Sequence, residues 1–370
     1  MRLLIDASSI NRKNVFASIP NYILHLIDGF LVYSSYEIIL LIDDDFKFFF
    51  EKRYPTVEKY YLKRNFVLYR IPLLGEIYGR WKYKKNIAKI PHDIEIIASD
   101  QDRSTRIKTK HSQILVIHDL KGLKGGCLLQ KWRNFFFYRT LVTNAKAVVA
   151  ISDYTKDDLI LFFNVNKDKI YVIPNSVVLS NDEVKINSDV PEEFILYVNT
   201  LTPYKNPITL IKAFEQIHNQ INHKLIFVGK TTSYWNNTIL PYITSRDIQE
   251  KIIHLENLDS KELQYLYNRA SLFVTTSKRE GFGYTPIEAA LSKVPTICSL
   301  SEALPYSTQG LLNYYKPVDD YNELAKKMLD VLNDPPPKEQ LDAIAIKFKE
   351  DYSPKRQIEQ FCKLIQTLET

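Results

Sequence analysis

Residues 280–288 read Glu-Gly-Phe-Gly-Tyr-Thr-Pro-Ile-Glu and set two glycines and two carboxylates around one predicted helix start. The apolar run 271–277 that precedes them is typical of a buried strand. Thr285 fits an N-cap, Pro286 the first turn and Glu288 the third helical position, which predicts a helix over 286–293. Glycines let a ligand approach the backbone, and a helix N-terminus attracts negative charge. The stretch therefore predicts a phosphate site flanked by acidic groups that bind hydroxyls.

Two simpler interpretations of the same residues stay open. Thr285-x-x-Glu288 is also the pattern of a capping box, which occurs in many helices without a ligand. Gly281 and Gly283 also fit an ordinary tight turn. The chain holds ten glycines in 370 residues, so two within three positions favour the binding site over chance.

Short apolar runs alternate with helical patterns along the chain, which predicts an α/β protein with parallel sheets. The predicted strands are 2–6, 37–42, 66–71, 113–118, 147–151, 170–173, 194–199, 224–229, 252–256, 271–276 and 294–298. The length exceeds what one core usually serves, so we expect two domains. Their expected bounds are 1–180 and 193–350, with a linker at 181–192 and an amphipathic C-terminal helix in 351–370.

Several motifs occur in an order that resembles the retaining GT-B glycosyltransferases of family 4. They include Phe194-Ile-Leu-Tyr-Val-Asn-Thr-Leu-Thr-Pro-Tyr-Lys205-Asn206, Lys224-Leu-Ile-Phe-Val-Gly229, Glu280-Gly-Phe-Gly and Glu288-Ala. Val116-Ile-His118-Asp119 and Tyr171-Val-Ile-Pro174-Asn175 are weaker matches in the first half. The resemblance covers most of residues 113–300. It implies two Rossmann-like doubly wound domains that face a cleft, and a C-terminal helix that crosses back to the first domain.

The resemblance also implies roles for single residues. The second domain would bind a nucleotide-diphosphate sugar, either GDP-mannose or a UDP-hexose, and transfer its hexose to a glycan or a lipid-linked saccharide. The implied catalytic residues are Glu280 at the sugar, Lys205 at the diphosphate, and His118 in the cleft. The implied donor-binding residues are Lys205, Gly229, Glu280, Gly281, Phe282, Gly283, Tyr284, Thr285 and Glu288. No metal ion or other cofactor is expected, because cations and backbone dipoles of the protein would stabilise the leaving diphosphate.

This chain departs from the family pattern at three places. Thr200 stands where many relatives have an arginine, so Lys205 is expected to act with Lys230, Lys278 or Arg279. The loop after the first strand contains no glycine. Leu304-Pro305-Tyr306 replaces a usual acidic residue, although Glu302 is nearby.

Two other functions stay open beside the transferase, the first because a fold does not fix the reaction and the second because of these departures. One is a sugar-nucleotide epimerase of the same fold, and the other is a catalytically silent partner subunit. His118 could also be a structural histidine that is satisfied by a local hydrogen bond. A nucleic-acid partner is not expected, because no nucleic-acid module is visible and the second half of the chain is acidic.

Positive charge is concentrated in the first half of the chain. Residues 1–180 carry a net charge of +10, and the remainder carries −4. Between 46 and 89, twelve basic residues alternate with aromatic ones, which suits an anionic inner-leaflet membrane surface, although a solvated basic face over an aromatic core is the simpler alternative. No long apolar span or leader-like segment is visible, and three scattered cysteines favour a reducing compartment. We therefore expect a cytoplasmic or peripheral enzyme of bacterial surface-polysaccharide or lipopolysaccharide synthesis.

Overall fold

The computed structural model describes residues 1–15, 17–63, 72–100, 105, 107–186 and 189–369. The predicted strand at 66–71 lies outside these residues. The other predicted strands are present in the structure. The chain forms two compact units, one of Met1–Ser176 with Pro354–Thr370 and one of Val177–Ser353.

Unit 1 contains a parallel sheet in the order β3-β2-β1-β4-β5-β6-β7. Its strands are β1 (Arg2–Asp6), β2 (Glu37–Asp43), β3 (Glu58–Leu62), β4 (Ile94–Ile97), β5 (Ser112–Ile117), β6 (Ala147–Ala150) and β7 (Ile170–Val172). Its helices are α1 (Ser18–Tyr33), α2 (Lys47–Arg53), α3 (Pro72–Ile87), α4 (Lys121–Lys124), α5 (Leu128–Asn144) and α6 (Asp153–Phe163). Most strand residues are buried, as expected when helices cover a parallel sheet on both faces.

Unit 2 contains a second parallel sheet in the order β10-β9-β8-β11-β12-β13. Its strands are β8 (Phe194–Val198), β9 (Lys224–Val228), β10 (Ile252–Leu255), β11 (Leu272–Thr275), β12 (Thr296–Ser299) and β13 (Asn313–Tyr315). Its helices are α7 (Pro207–Ile217), α8 (Leu240–Ser245), α9 (Ser260–Tyr267), α10 (Tyr284–Leu291), α11 (Leu304–Ser307), α12 (Tyr321–Asn333) and α13 (Lys338–Asp351). Separate clusters of buried apolar residues cover the two faces of this sheet.

The C-terminal helix α14 (Pro354–Glu369) belongs to unit 1, where it packs on α1. Its apolar face is buried through Ile358, Phe361, Leu364 and Ile365, in agreement with the predicted amphipathic pattern. A Cβ atom at Gly29 of α1 would lie 2.8 Å from Cγ1 of Ile358. The absence of a side chain at Gly29 is therefore what lets the two helices approach.

Part of the predicted linker packs on unit 2. Asp182 and Glu183 form ion pairs with Lys261 and Arg269. Ile186 is buried in the core beside Leu266. Residues 182–186 are thus part of the second unit's surface and core.

A buried polar cluster lies in the middle of the unit 1 sheet. The hydroxyl of Tyr83 contacts Oδ2 of Asp6 at 2.8 Å and Oε1 of Glu95 at 2.7 Å. Gln113 donates to Oε2 of Glu95 at 2.9 Å. A single hydroxyl proton cannot serve two carboxylates, so both contacts are satisfied when one carboxyl is protonated. Burial raises the pKa of Glu95 to about 7, so Glu95 can hold this proton at and below neutral pH.

Candidate functional site

The loops after β8 and β11 lie side by side in unit 2. From β8, the next strands along the chain, β9 and β10, are added on one side of the sheet. From β11, strands β12 and β13 are added on the other side. The order in which strands are added therefore reverses between β8 and β11. In open α/β sheets, ligands bind at the carboxyl ends of the strands at such a reversal. Lys205 follows β8 and Glu280 follows β11.

Lys205 and Glu280 form an ion pair at this reversal. The Nζ atom of Lys205 lies 2.5 Å from Oε1 of Glu280, and the side chains are only 11% and 12% exposed. The amide of Asn199 also lies 3.4 Å from Oε1 of Glu280. Little water screens this pair, so its charges act strongly on each other and on any bound anion. The structure thus brings together two of the three predicted catalytic residues.

Main-chain carbonyls hold the loop of Lys205 in place. Tyr197 donates from its buried hydroxyl to the carbonyl oxygen of Lys205 at 2.9 Å. Thr276 donates to the carbonyl oxygen of Asn206 at 2.8 Å. The N–H group of Lys278 donates to the carbonyl oxygen of Tyr204 at 2.8 Å. The segments after β8 and β11 are therefore fixed to each other.

The helix after the glycine turn begins earlier than predicted. The N-cap is Gly283, with φ at 94°, and α10 runs over Tyr284–Leu291. Thr285 is therefore a helical residue, and its prediction as N-cap was wrong. The positive φ favours glycine here, and a Cβ at residue 283 would also lie 2.5 Å from Cδ2 of Leu304, whose side chain would have to move. Phe282 is buried beside it, and its carbonyl oxygen accepts a hydrogen bond from Ser307.

The carboxyl group of Glu288 binds a side chain of another helix, and the helix start at Gly283 does not fit the alternative of a capping box at Thr285. The hydroxyl of Tyr267 donates to Oε2 of Glu288 at 2.8 Å. Burial raises the pKa of Glu288, and this hydrogen bond partly offsets the rise. Part of the residue's surface remains accessible. A carboxyl group with one fixed donor keeps acceptor capacity for a further hydroxyl, which is the chemistry that ribose binding needs.

Gly229 lets two loops approach through their backbones. With φ at 158°, a Cβ there would lie 1.9 Å from the carbonyl oxygen of Asn199. The ring of His254 donates from Nε2 to the carbonyl oxygen of Gly229 at 2.8 Å. The N–H group of Thr231 is held by the carboxylate of Glu256. The loops after β8, β9 and β10 are thus linked along one edge of the sheet.

The other predicted cations differ in their surroundings. Lys278 pairs with Asp319 at 2.5 Å. Thr200, which stands at the arginine position of many relatives, is exposed. Among the residues that the structure describes, Lys205 is the predicted cation that directly contacts Glu280.

His118 lies in unit 1 at the end of β5. The ring Nε2 of His118 contacts the carbonyl oxygen of Ala98 at 2.9 Å. The main-chain N–H group of His118 donates to Oδ2 of Asp100 at 3.1 Å. Its ring stands edge-on to Tyr22, with centroids 4.7 Å apart. Burial lowers the pKa of His118, so a neutral ring that donates from Nε2 keeps Nδ1 as an acceptor. The contact of the ring with the carbonyl oxygen of Ala98 is the kind of hydrogen bond that a purely structural histidine would make.

Asp100 is a buried acid beside His118 that the sequence patterns did not single out. Burial and the charge of Asp119 raise the pKa of Asp100 to about 8, against hydrogen bonds from the main chain that lower it. The residue follows β4, a four-residue strand that was not predicted. Recognition of β4 would have placed Asp100 at the same edge of the sheet as His118.

The basic aromatic segment 46–89 has a mixed environment. Phe50, Tyr54 and Tyr83 are buried, whereas Phe48 and Trp81 are exposed. Phe66 and Tyr69 lie outside the described residues.

The described residues contain neither a metal-ligand cluster nor a membrane-spanning helix. No set of three or more His, Cys, Asp or Glu side chains is grouped as metal ligands are. The helices in the same part of the chain are too short or too polar to cross a bilayer.

Two family profiles match adjoining parts of the chain. The profile of Glycosyltransferase Family 4 matches residues 50–181, and that of Glycosyl transferases group 1 matches residues 180–348. The chain belongs to the group 1 glycosyltransferases. Membership of this enzyme family confirms the predicted resemblance to GT-B glycosyltransferases, and the two parallel sheets are those of the two-domain GT-B fold.

Individual relatives share about a quarter of their aligned residues with this chain or fewer. The O-antigen chain mannosyltransferase RfbU of Salmonella typhimurium is 27% identical over 62% of this chain and 62% of its own length. An N-acetylgalactosaminyltransferase of Campylobacter jejuni, whose name gives a diphospho-undecaprenol substrate, is 25% identical over 45% of this chain and 44% of its own. Anabaena Alr3699/HepE in complex with UDP superposes with a TM-score of 0.72 at 15% identity, over 99% of both chains. This chain spans less than two thirds of these two curated relatives.

Proposed function

We propose that this group 1 glycosyltransferase moves a hexose from a nucleotide-diphosphate sugar to a saccharide acceptor, with retention of the anomeric configuration. The observation that carries the proposal is the Lys205–Glu280 pair at the strand-order reversal, next to the glycine turn that opens α10. These groups supply a cation, a carboxylate and a helix N-terminus at one edge of the sheet.

The chemistry that this edge favours is the departure of a diphosphate. Breaking the glycosidic bond of the donor builds negative charge on the leaving oxygen atoms. The ammonium of Lys205 and the dipole of α10 stabilise that charge most in the transition state, without a metal ion in this role. Glu280 holds Lys205 before the donor binds and lies where the transferred sugar would sit.

Glu288 is proposed to bind the ribose of the donor. Its carboxyl group has one donor in Tyr267 and can accept from ribose hydroxyls. The amides from Gly281 to Tyr284, which include those of Phe282 and Gly283, are proposed to bind the sugar and the distal phosphate, with Thr285 in the first turn behind them. Gly229 keeps the neighbouring loops close enough to enclose the nucleotide.

No carboxylate is assigned as a nucleophile under the sugar ring. A double displacement needs such a group. We therefore favour departure and attack on the same face of the sugar, in which the leaving diphosphate accepts the proton of the acceptor hydroxyl. His118 is proposed to bind the substrate through Nδ1.

The names of relatives support the choice of donor and acceptor to test. The mannosyltransferase relative supports GDP-mannose as the first donor to test, and the UDP complex supports a UDP-hexose as the second. The O-antigen and undecaprenol names support a lipid-linked glycan acceptor in surface-polysaccharide synthesis. With such an acceptor and a nucleotide-sugar donor, the enzyme is proposed to act at the cytoplasmic face of the membrane.

The purified chain tests the proposal in two steps. Thermal shift with a panel of nucleotide sugars identifies the donor, since a ligand at 100 times its dissociation constant adds about 2.7 kcal/mol to stability. Transfer to lipid-linked oligosaccharides follows, with the product linkage read by NMR. An inverted linkage contradicts retention. Conversion of the donor to its epimer, or binding without turnover on any acceptor, contradicts transfer.

A further inference from the structure

The outward side of α5 carries large apolar side chains. Phe137, Leu141 and Val142 face the sheet and are buried. The opposite side exposes 74%, 78%, 57% and 52% of Leu128, Leu129, Trp132 and Phe136 respectively. At 3.6 residues per turn, these four positions fall within about 100° of one another. An apolar stripe of this width normally faces a core, but here it faces outward.

An open apolar groove adjoins this stripe. Its volume is about 280 Å³, and its lining is almost entirely hydrocarbon, with one cation. Leu161 of α6, next to the lining residue Phe162, is also exposed. The lining residues are Leu123, Leu128, Lys131, Trp132, Phe135 and Phe162.

The segment that carries the stripe has charges of one sign, and acidic residues begin again at Asp153 of α6. Residues 120–152 contain six lysines and arginines and no aspartate or glutamate. Lys121 and Lys124 pair with acidic residues outside that segment. For Lys131, Arg133 and Arg139, no carboxylate of the described residues lies within 4.0 Å. Lys131, Arg133 and Arg139 thus border the stripe without an acidic partner among the described residues.

Helix α3 adds to the same side of unit 1. Leu4, Glu95 and Gln113 are in register on adjacent strands, so their side chains share one face of the sheet. Helix α3 covers that face through Tyr83, which bonds Glu95. Helix α5 covers it as well, because Leu115 lies two residues after Gln113 and joins the cluster of Phe137. The exposed Ile77 and Trp81 of α3, with Lys85 stacked 5.1 Å over Trp81, therefore point to the same side.

We infer that this α5 surface docks unit 1 on an anionic phospholipid bilayer, with the groove taking a hydrocarbon chain. Apolar side chains with tryptophan and arginine on one helix face suit the boundary between head groups and acyl chains. A symmetric contact between two copies would bring a purely basic segment against itself. Nucleic acid would neutralise the cations but leave the leucines uncovered. The inference rests on the proposed function, in which the acceptor is linked to a lipid. Its test uses neither donor nor acceptor, so the inference and the proposed function can fail separately.

Vesicle co-sedimentation of the full chain tests the inference. Vesicles of phosphatidylcholine mixed with phosphatidylglycerol should bind the chain, and vesicles of phosphatidylcholine alone should bind it far less. Each cation near the surface contributes about a fivefold change in partitioning, so K131E/R133E should weaken binding by roughly 25-fold or more. L128S/W132S should also abolish most binding. Both pairs lie at the surface, so circular dichroism should match that of the wild type.

Matched changes in unit 2 serve as controls. K326E/K327E removes equal charge, and I346S removes an exposed apolar side chain. Both controls should bind vesicles as the wild type does. Equal binding by the α5 variants, or no binding of the wild type to anionic vesicles, overturns the inference. Light scattering that shows a dimer which L128S/W132S converts to a monomer overturns it as well, in favour of a second copy as the occupant.

Discussion

Replacement of Glu95 by glutamine should change how the stability of unit 1 depends on pH. The pKa of this carboxyl rises from 4.5 to about 7 in the folded chain, mainly through burial. That difference corresponds to about 3 kcal/mol of free energy of unfolding. Because the folded state holds the proton more tightly, the contribution is complete below pH 4.5 and is lost as the pH rises through 7.

Glutamine imitates the protonated carboxyl without titrating. Its amide can donate to the Tyr83 hydroxyl while Tyr83 donates to Asp6, and its oxygen still accepts from Gln113. Near pH 4.5, E95Q and the wild type should therefore melt together. At pH 8 the variant should be more stable by about 3 kcal/mol, or roughly 6–12 °C in melting temperature for a unit of this size.

Differential scanning calorimetry between pH 4.5 and 8 measures the difference between the two proteins, which cancels the titration of other groups. The exposed Asp157 of α6 supplies a control, since D157N should show no such trend. A melting difference between E95Q and the wild type that is constant over this range would falsify the assignment of the buried proton to Glu95.

Three further changes test unit 2. K205A should lower kcat by about 10²–10³, as loss of one charge-stabilising group does, and should change the acceptor KM little. Equal losses of apparent affinity for donor and for acceptor would refute its role at the diphosphate. E288A should raise the donor KM and E288Q should raise it less, because glutamine keeps an acceptor oxygen; steady-state kinetics with varied donor decides this. G229A should destabilise the chain by roughly 2–3 kcal/mol through its clash with Asn199, and more than G310A, where a Cβ meets open space; denaturant unfolding compares them.

The motifs around the strand-order reversal could be predicted from sequence because they are local. Long apolar runs give the strands, and a lysine loop and a glycine turn follow two of them directly. The pairing of Lys205 with Glu280 follows once β8 and β11 are neighbours. Three strands, β3, β4 and β13, were not predicted, because charged or polar residues within each of them shorten the apolar run.

Contacts between distant residues could not be predicted in the same way. Thr285-x-x-Glu288 fits a capping box equally well, and only the helix start at Gly283 and the hydrogen bond of Tyr267 to Glu288 decide against it. The pairing of Asp100 with His118 depended on an unrecognised strand. Periodicity shows which face of an element is apolar, but not which side chain from another element covers it.

The backbone contact at Gly229 restricts how donor preference could be re-engineered. The segment after β9 rests on the carbonyl of Asn199, so its course depends on that of the segment after β8. A graft of residues 230–234 from another transferase would meet a foreign support unless residues 199–202 were exchanged with it. Exchanging both segments as one cassette keeps this backbone contact and is the rational way to alter the loops at this end of the sheet.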